Sequence, residues 1–494
     1  MSTTSSTPAT VSDILVIGAG PGGIATAIIL GQRGIDDVRL LERAPELGGT
    51  WYNNRYPGLA CDICSDHYSF SFHDSYDWSR AYPRPAEFRE YLAEVVERFG
   101  IADRITTGVA VERAEWLADD CVWEVFDSHG DVHTARVLVG AVGMFNERVR
   151  PDIAGLDRFQ GPVVHTGEWP VDGGADLVDG KRVAVIGSAA SAVQMIPTIA
   201  PHVAHLDVYQ RTANWVFPKD DALWDTDTRA ARRTDASIGR GVRAESAQRV
   251  DLLGTFDNAD LIAAMHQAGL ENLARVHDPA LRERLTPQVP IGAQRPLISS
   301  DYYDAFNRDE VELITEPIVQ ITEEGVRTAD GRHHPADTIV LATGYAAHKF
   351  LSVIDVRGRD GIALADLWSE GAYAYLGITV ERFPNLFMLY GPNTNNGSII
   401  DKLESQARYI AAKVAHMRDH GIDALEVRSE VVAAYNETVQ GLLGRVDVWQ
   451  VEGSRYYRAP SGRIVTQCPY DQVSYDAMTR HDDLDAYDAL ARVG

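Results

Sequence analysis

The sequence predicts an α/β fold with two Rossmann-like dinucleotide-binding domains, the second inserted in the first, together with a helical insertion. Three observations carry this. Two stretches share one strand–turn–helix fingerprint: ILVIGAGPGGIATAI, with Gly18, Gly20 and Gly23, and VAVIGSAASAVQMI, with Gly187, Ala189 and Ala192. Twenty-four residues past its leading glycine, the first reaches Glu42 and the second reaches Arg211. Residues 221–285, in contrast, are charged and helical in pattern, with no strand signal.

The two fingerprints differ in what they suit. A carboxylate at the tip of the second strand accepts hydrogen bonds from a ribose diol, whereas a guanidinium there suits a ribose phosphate. The chain is therefore expected to bind two different dinucleotides, the second being NADPH. The first fingerprint follows the apolar run Ile14–Ile17, opens the apolar helix Ile24–Leu30 and precedes the strand VRLLE. In the second, Ala192 only packs helix on strand, while Ala189 crowds the pyrophosphate slightly.

Along the chain, residues 13–42 form the first βαβ unit. Residues 48–88 are aromatic and turn-rich without clear periodicity, which suits a segment that lines a site. Pro85–Gly100 has the spacing of an amphipathic helix. Val109–Trp116, Cys121–Asp127 and Val132–Val142 alternate like antiparallel strands. The second βαβ unit runs from about Lys181 to Arg211. Strand-like sequence returns at Val311–Ile314 and Thr338–Thr343. Gln406–His420 reads as a helix, and Arg455–Arg458 and Gly462–Thr466 read as extended. One domain is thus expected at 1–150 and 381–494, interrupted by a second at 151–220 and 286–380 that carries the helical insert 221–285.

Size and charge narrow the class. A chain of 494 residues needs more than one core. A net charge of −25 argues against nucleic acid and anionic membrane as partners. No run reaches 18 consecutive apolar residues, so no spanning helix is expected. The opening MSTTSSTPATVSD reads as a short disordered tail and not as an export signal. Four cysteines, Cys61, Cys64, Cys121 and Cys468, fit a reducing, cytoplasmic setting. No Cys/His cluster has zinc spacing, so no metal is expected.

Two further motifs identify a family. GGTWYNNRYPGLACD carries Gly48, Gly49, Trp51, Tyr56, Pro57, Gly58 and Asp62, and FQGPVVHTGEWP carries Phe159, Gly161, His165, Trp169 and Pro170. Together they resemble the two signatures of type I Baeyer–Villiger monooxygenases, which are class B flavoprotein monooxygenases. The resemblance runs from about residue 13 to the C-terminus. It implies FAD in the first domain, NADPH in the second, and insertion of oxygen from O2 beside a ketone carbonyl by way of a C4a-peroxyflavin, giving an ester or lactone. The partners it implies are a small ketone and O2; oligomeric state is open.

The resemblance also implies roles. Arg295, within GAQRPLISSDYY, matches the catalytic arginine, and Asp62 matches the carboxylate that holds it. A fixed cation suits this chemistry because it stabilises developing negative charge, and arginine stays protonated at any working pH. His165 matches a histidine between the domains that acts on cofactor placement and hydride transfer, not as acid or base. Trp169 packs at the same junction, and Trp51 packs near the flavin or in the core. The expected FAD contacts are Gly18, Gly20, Gly23, Glu42, Gly49, Thr50, Trp51, Asp62, Val111 and Asn393. The expected NADPH contacts are Gly187, Ser188, Ala189, Ala190, Ser191, Gln194, Arg211, Thr212 and Arg295. Gln294 stands where the family often has a second phosphate-binding lysine, and Lys219 is an alternative source of that charge. Ser454-Arg455-Tyr456 departs from the family's Ser-Trp-Tyr, which would alter pocket polarity or recruit an acidic substrate. Three rival readings remain: oxygenation of nitrogen or sulfur, dithiol chemistry on the Cys61-x-x-Cys64 pair, and a non-catalytic nucleotide-binding flavoprotein.

Overall fold

The computed structural model describes residues 10–254 and 256–492. Its first unit is built from the strands β1 (Thr10–Ile17) and β2 (Val38–Glu42) around helix α1 (Pro21–Gly31). The apolar run of β1 is fully buried between its parallel neighbours β2 and β6. The short helix α2 (Thr50–Asn53) and α3 (Pro85–Arg98) follow. Pro85 starts α3 at a position where its missing N–H costs nothing, and Phe88, Tyr91, Leu92, Val95 and Val96 form its buried stripe. Four more strands follow: β3 (Ile105–Thr107), β4 (Val111–Leu117), β5 (Val122–Asp127) and β6 (Val132–Gly140). As expected, β4, β5 and β6 are antiparallel neighbours.

The second unit contains β7 (Val163–His165), β8 (Arg182–Ile186), helix α4 (Ala190–Ile199) and β9 (His205–Tyr209). After a short strand β10 (Val216–Phe217) come four helices: α5 (Thr226–Thr234), α6 (Ala236–Leu252), α7 (Ala259–Leu273) and α8 (Pro279–Leu285). Aspartate or asparagine side chains cap each of them, Asp225, Asp235, Asn258 and Asp278 accepting from first-turn N–H groups. The chain returns through β11 (Leu297–Ile298), the short helix α9 (Tyr302–Ala305) and β12 (Val311–Ile314). The strands β13 (Ile318–Thr322), β14 (Gly325–Thr328) and β15 (His333–Pro335) form a small antiparallel sheet. Strand β16 (Thr338–Leu341) completes the second main sheet, whose order is β12-β9-β8-β16-β7, all parallel.

The first sheet takes the chain back at β17 (Asp355–Arg357), which lies against β4, ahead of residue 381. Helix α10 (Leu364–Leu367) precedes β18 (Leu386–Met388), which lies against β6 and gives an eight-stranded sheet. Helix α11 (Ile399–His420) begins seven residues before the expected Gln406 and packs on α1; Gly421, in the left-handed region at φ 65°, ends it. The chain closes with β19 (Ala424–Val427), α12 (Ser429–Leu443), α13 (Gln472–Arg480) and β20 (Tyr487–Leu490).

Arg455–Arg458 is not extended. Residues Glu452–Tyr457 form a tight helical turn, because the Ser454 hydroxyl donates back to the carbonyls of Trp449 (2.7 Å) and Val451 (2.8 Å). The side chain of Arg455 lies outside the described residues. Gly462–Thr466 forms no strand; Ile464 makes a single bridge to Arg458. Among the described residues, no helix is long and apolar enough to cross a membrane.

Candidate active site

The carboxyl ends of the parallel strands in the two main sheets open on one continuous cavity of about 2010 Å³. That is where an open α/β sheet offers its ligand crevice. Both fingerprint turns reach it. Gly18 sits at φ 108°, and a Cβ there would stand 2.7 Å from the Ala141 carbonyl oxygen. Gly187, at φ 116°, faces Ala342 in the same way, at 2.5 Å. The matched contacts make the two turns structural copies.

Helix α1 starts at Gly20 and α4 at Ala189, and neither N-terminus has a side-chain cap or an acidic first turn. Their free N–H groups suit a pyrophosphate without further help. The close approach of Gly20 to Gly49, 3.4 Å from the position of an added Cβ, leaves bare backbone there. Glu42 is buried at the end of β2, its two carboxylate oxygens accepting from the N–H groups of Ala19 (2.8 Å) and Ala44 (2.8 Å). Each oxygen keeps a second lone pair, so a ribose diol can still be held. Arg211 stands exposed on the cavity wall just past β9, with Thr212 beside it. The residues thus fit FAD on the first sheet and NADPH on the second.

Of the other residues singled out by sequence, Gly49, Thr50, Trp51, Asp62, Val111, Ser188, Ala190, Ser191, Gln194 and Arg295 line the same cavity. Gly23, Asn393 and His165 do not. Gly23 lies behind the turn, where an added Cβ would meet the Gly18 carbonyl at 2.0 Å. Asn393 is buried, donating through Nδ2 to the carbonyls of Ile464 and Gln467 at 3.0 Å each.

Arg295 and Asp62 form an ion pair between the second unit and the first. The Asp62 carboxylate holds the guanidinium protonated even above its ordinary range, outweighing the cost of burial. Tyr390 and Tyr456 stand on the same side of this charge. The Asp62 segment is fixed from across the interface. Gln194 of α4 accepts from the Tyr56 hydroxyl (2.9 Å) and donates to the Ala60 carbonyl (2.9 Å). Lys219 Nζ donates to the Cys61 carbonyl (2.9 Å), lies 3.5 Å from Asp221 and sits over the Tyr82 ring. Lys219 is therefore committed beside Asp62 and is not a second phosphate cation next to Arg211. Sequence reasoning missed this anchoring role, for which no local spacing gives a signal.

His165 is fully buried at the end of β7. Its Nε2 donates to the Gly344 carbonyl (3.0 Å) and its Nδ1 accepts from Gly167 N–H (3.0 Å), with burial pushing its pKa down. It holds the 344–345 turn, where the Tyr345 hydroxyl donates to Asn54 of the first unit (2.8 Å). Tyr345 follows the LATG turn and is a second residue that sequence reasoning passed over. Trp51 is buried at the cavity wall against Tyr68 and Phe88. Trp169 is buried in the core of the second unit. All four cysteines are free thiols, and burial pushes Cys61 and Cys64 up, which makes them poor thiolates.

Two dinucleotide cradles opening on one cavity, with a cross-unit arginine–carboxylate pair between them, define a two-nucleotide flavoprotein oxidoreductase. Comparison with known proteins narrows the class. Residues 15–251 match the family described as pyridine nucleotide-disulphide oxidoreductase. A Baeyer–Villiger monooxygenase of Pseudomonas aeruginosa is 37% identical over 482 residues, covering 96% of this chain and 90% of its own. One from Streptomyces coelicolor is 36% identical, covering 97% and 92%. Among solved structures, oxidized steroid monooxygenase bound to NADP superposes with a TM-score of 0.86 at 31% identity, over 97% of this chain and 100% of that one. Cyclohexanone monooxygenase from Rhodococcus sp. Phi1 bound to NADP+ gives 0.86 at 30% identity, over 98% and 100%. The chain belongs to the Baeyer–Villiger monooxygenase family, flavin-dependent enzymes that use FAD and NADPH.

Proposed function

We propose that this enzyme converts a small ketone into an ester or lactone, with ketone, O2, NADPH and a proton giving ester, NADP+ and water. The observation that carries the residue assignment is the Arg295–Asp62 pair, which spans the two units and faces the shared cavity. FAD, when bound, supplies the ring on which O2 is activated, and NADPH supplies the hydride. Arg295 presents a permanent cation to the oxygen that gains negative charge as the carbonyl is attacked. Asp62 orients that guanidinium. His165 acts as a positioning residue: both ring nitrogens are engaged with backbone, so it fixes the 344–345 turn and exchanges no proton with substrate.

In this reading Gly18, Gly20, Glu42, Gly49, Thr50, Trp51 and Val111 hold FAD, and Gly23 acts indirectly by letting α1 pack against the Gly18 turn. Asn393 acts indirectly, by tying its loop to the C-terminal segment. Gly187, Ser188, Ala189, Ala190, Ser191, Gln194, Arg211 and Thr212 serve NADPH. Residues 1–150 with the chain from about 355 onward form the FAD domain. The stretches 151–220 and 286–350 form the NADPH domain, and 221–285 covers the cavity between them. The acidic balance and free thiols support a cytoplasmic enzyme with no nucleic-acid partner. The test is Arg295→Ala. It should retain bound flavin and NADPH-driven flavin bleaching, yet lose ester formation by about 10²–10³. Full ester yield from this variant refutes the assignment.

A further inference from the structure

Away from the cavity, β9 and β12 bring together three ligating side chains that no local spacing in the sequence announces. His205 and Asp207 point to one face of β9, two residues apart. Glu312 of β12 is the direct cross-strand partner of Asp207. His205 Nε2 lies 3.1 Å from Asp207 Oδ1 and 3.9 Å from Glu312 Oε2, and one ligand atom from each of the three falls within 4.8 Å of the others. The edge of a tetrahedron drawn around a metal with bonds of about 2.0–2.1 Å is roughly 3.3–3.4 Å, so these separations straddle that of a closed site.

The electrostatics leave room for a cation. Two carboxylates directly opposite one another on a sheet face repel. Asp207 is only 3% exposed. Arg332, in the turn between β14 and β15, reaches Glu312 Oε1 (2.9 Å) and leaves Oε2 facing His205. One arginine thus faces the two carboxylates on this side of the sheet.

A second observation comes from Tyr209, two residues further along the same face of β9. It is 4% exposed, and its hydroxyl is buried with no hydrogen-bond partner. Its side chain shares a strand face with Asp207, and its ring meets the buried His334 edge-on at 6.0 Å. A buried hydroxyl without a partner costs free energy, and a metal-bound water held by the cluster would satisfy it.

We propose that His205, Asp207 and Glu312 form a binding site for a divalent transition metal of the zinc class, with water as fourth ligand and Tyr209 behind it. The mixed imidazole and carboxylate donors suit zinc, and a bound ion would pin β9 to β12 and neutralise the carboxylate pair. The site is structural. It lies on the sheet that carries Arg211; its three ligands do not line the nucleotide cavity, whereas Tyr209 does. This is the metal that sequence spacing does not predict, because Glu312 arrives from another strand.

The test uses the FAD-loaded enzyme in a His420→Ala background, which removes the stacked pair of half-buried His416 and exposed His420 on α11 as a competing chelator. After dialysis against a chelator, titration with Zn2+ should show about one equivalent bound and a raised unfolding midpoint, since metal binding to the folded state alone is stabilising. Co2+ in its place should give tetrahedral visible bands beyond the flavin absorption. Glu312→Gln, at a half-buried position, and His205→Asn should each weaken binding about tenfold or more while flavin content stays unchanged. Absence of stoichiometric binding, or equal binding in both variants, overturns the proposal: in that case His205 only hydrogen-bonds Asp207 across the strand face.

Discussion

Gly58 is the position where sequence, packing and the reacting site meet most directly. It lies in the left-handed region at φ 82°, and an added Cβ would stand 2.1 Å from the Gln194 carbonyl oxygen and 2.5 Å from Thr198 Oγ1. Gly58→Ala therefore carries two costs. The left-handed backbone costs an alanine about 1–2 kcal/mol. The clash involves helix backbone, which cannot rotate away as a side chain can, and adds about 1–3 kcal/mol. The sum of about 2–5 kcal/mol corresponds to a fall of on the order of 10 °C in the unfolding midpoint of the affected unit. The chain can relieve the clash only by moving the 56–60 segment off α4. That move breaks the Tyr56–Gln194 and Gln194–Ala60 bonds and displaces Asp62, two residues on.

Gly130 supplies the control. Its φ is 84°, and a Cβ there meets nothing within 4 Å. Gly130→Ala should show the backbone cost alone. The assay is ester formed per NADPH oxidised, run beside thermal unfolding followed by flavin fluorescence. Gly58→Ala should uncouple, consuming NADPH without matching ester, whereas Gly130→Ala should keep the wild-type ratio. Equal melting and equal coupling in the two variants would refute the idea that the 56–62 segment is held in register by α4.

Lys219→Met removes the charged donor on the Cys61 carbonyl, a bond of about 1.5–3 kcal/mol; coupling should fall about 10–100-fold, and the rate of flavin reduction by NADPH should stay near wild type. His165 gives a pH signature. Its folded pKa lies below the ordinary value of about 6.5, so between those two values the unfolded chain binds more protons and stability falls with falling pH. Urea unfolding between pH 5 and 7 should show a smaller pH slope in His165→Gln than in wild type; an unchanged slope would remove His165 as a contributor.

Both nucleotide cradles were legible in the sequence because their cause is local. A leading glycine must take positive φ beneath a returning strand, and Gly18 and Gly187 do so against equivalent carbonyls. Helix and strand periodicity likewise marked 221–285 as helical and found the antiparallel β4–β6. The remainder was hidden because its causes are remote. The hydroxyl of Ser454 curls its own segment by bonding back to Trp449, which propensity alone does not show. Lys219, 158 residues from Cys61, reads as a spare phosphate cation until the two units are placed together. The His205–Asp207–Glu312 group is invisible for the same reason. The resemblance to a known family supplied Arg295 and Asp62, which neither composition nor periodicity could have paired.

The ties across the interface share a direction. Gln194, Lys219 and Arg295 all belong to the second unit, and all act on Tyr56–Asp62 of the first, through a hydroxyl, two carbonyls and a carboxylate. One short segment therefore receives the position of the whole nucleotide-binding unit at three heights. The His165–Gly344 bond sets the Tyr345 turn, which adds a fourth tie at Asn54. A rotation of one unit against the other cannot break these singly, since they lie within nine residues of one another. It must either carry the segment along or release Arg295 from Asp62 together with the rest. The Arg295 guanidinium is thus coupled to the relative placement of the two units. Any variant that loosens one tie is expected to show its effect first in coupling, and only later in cofactor retention.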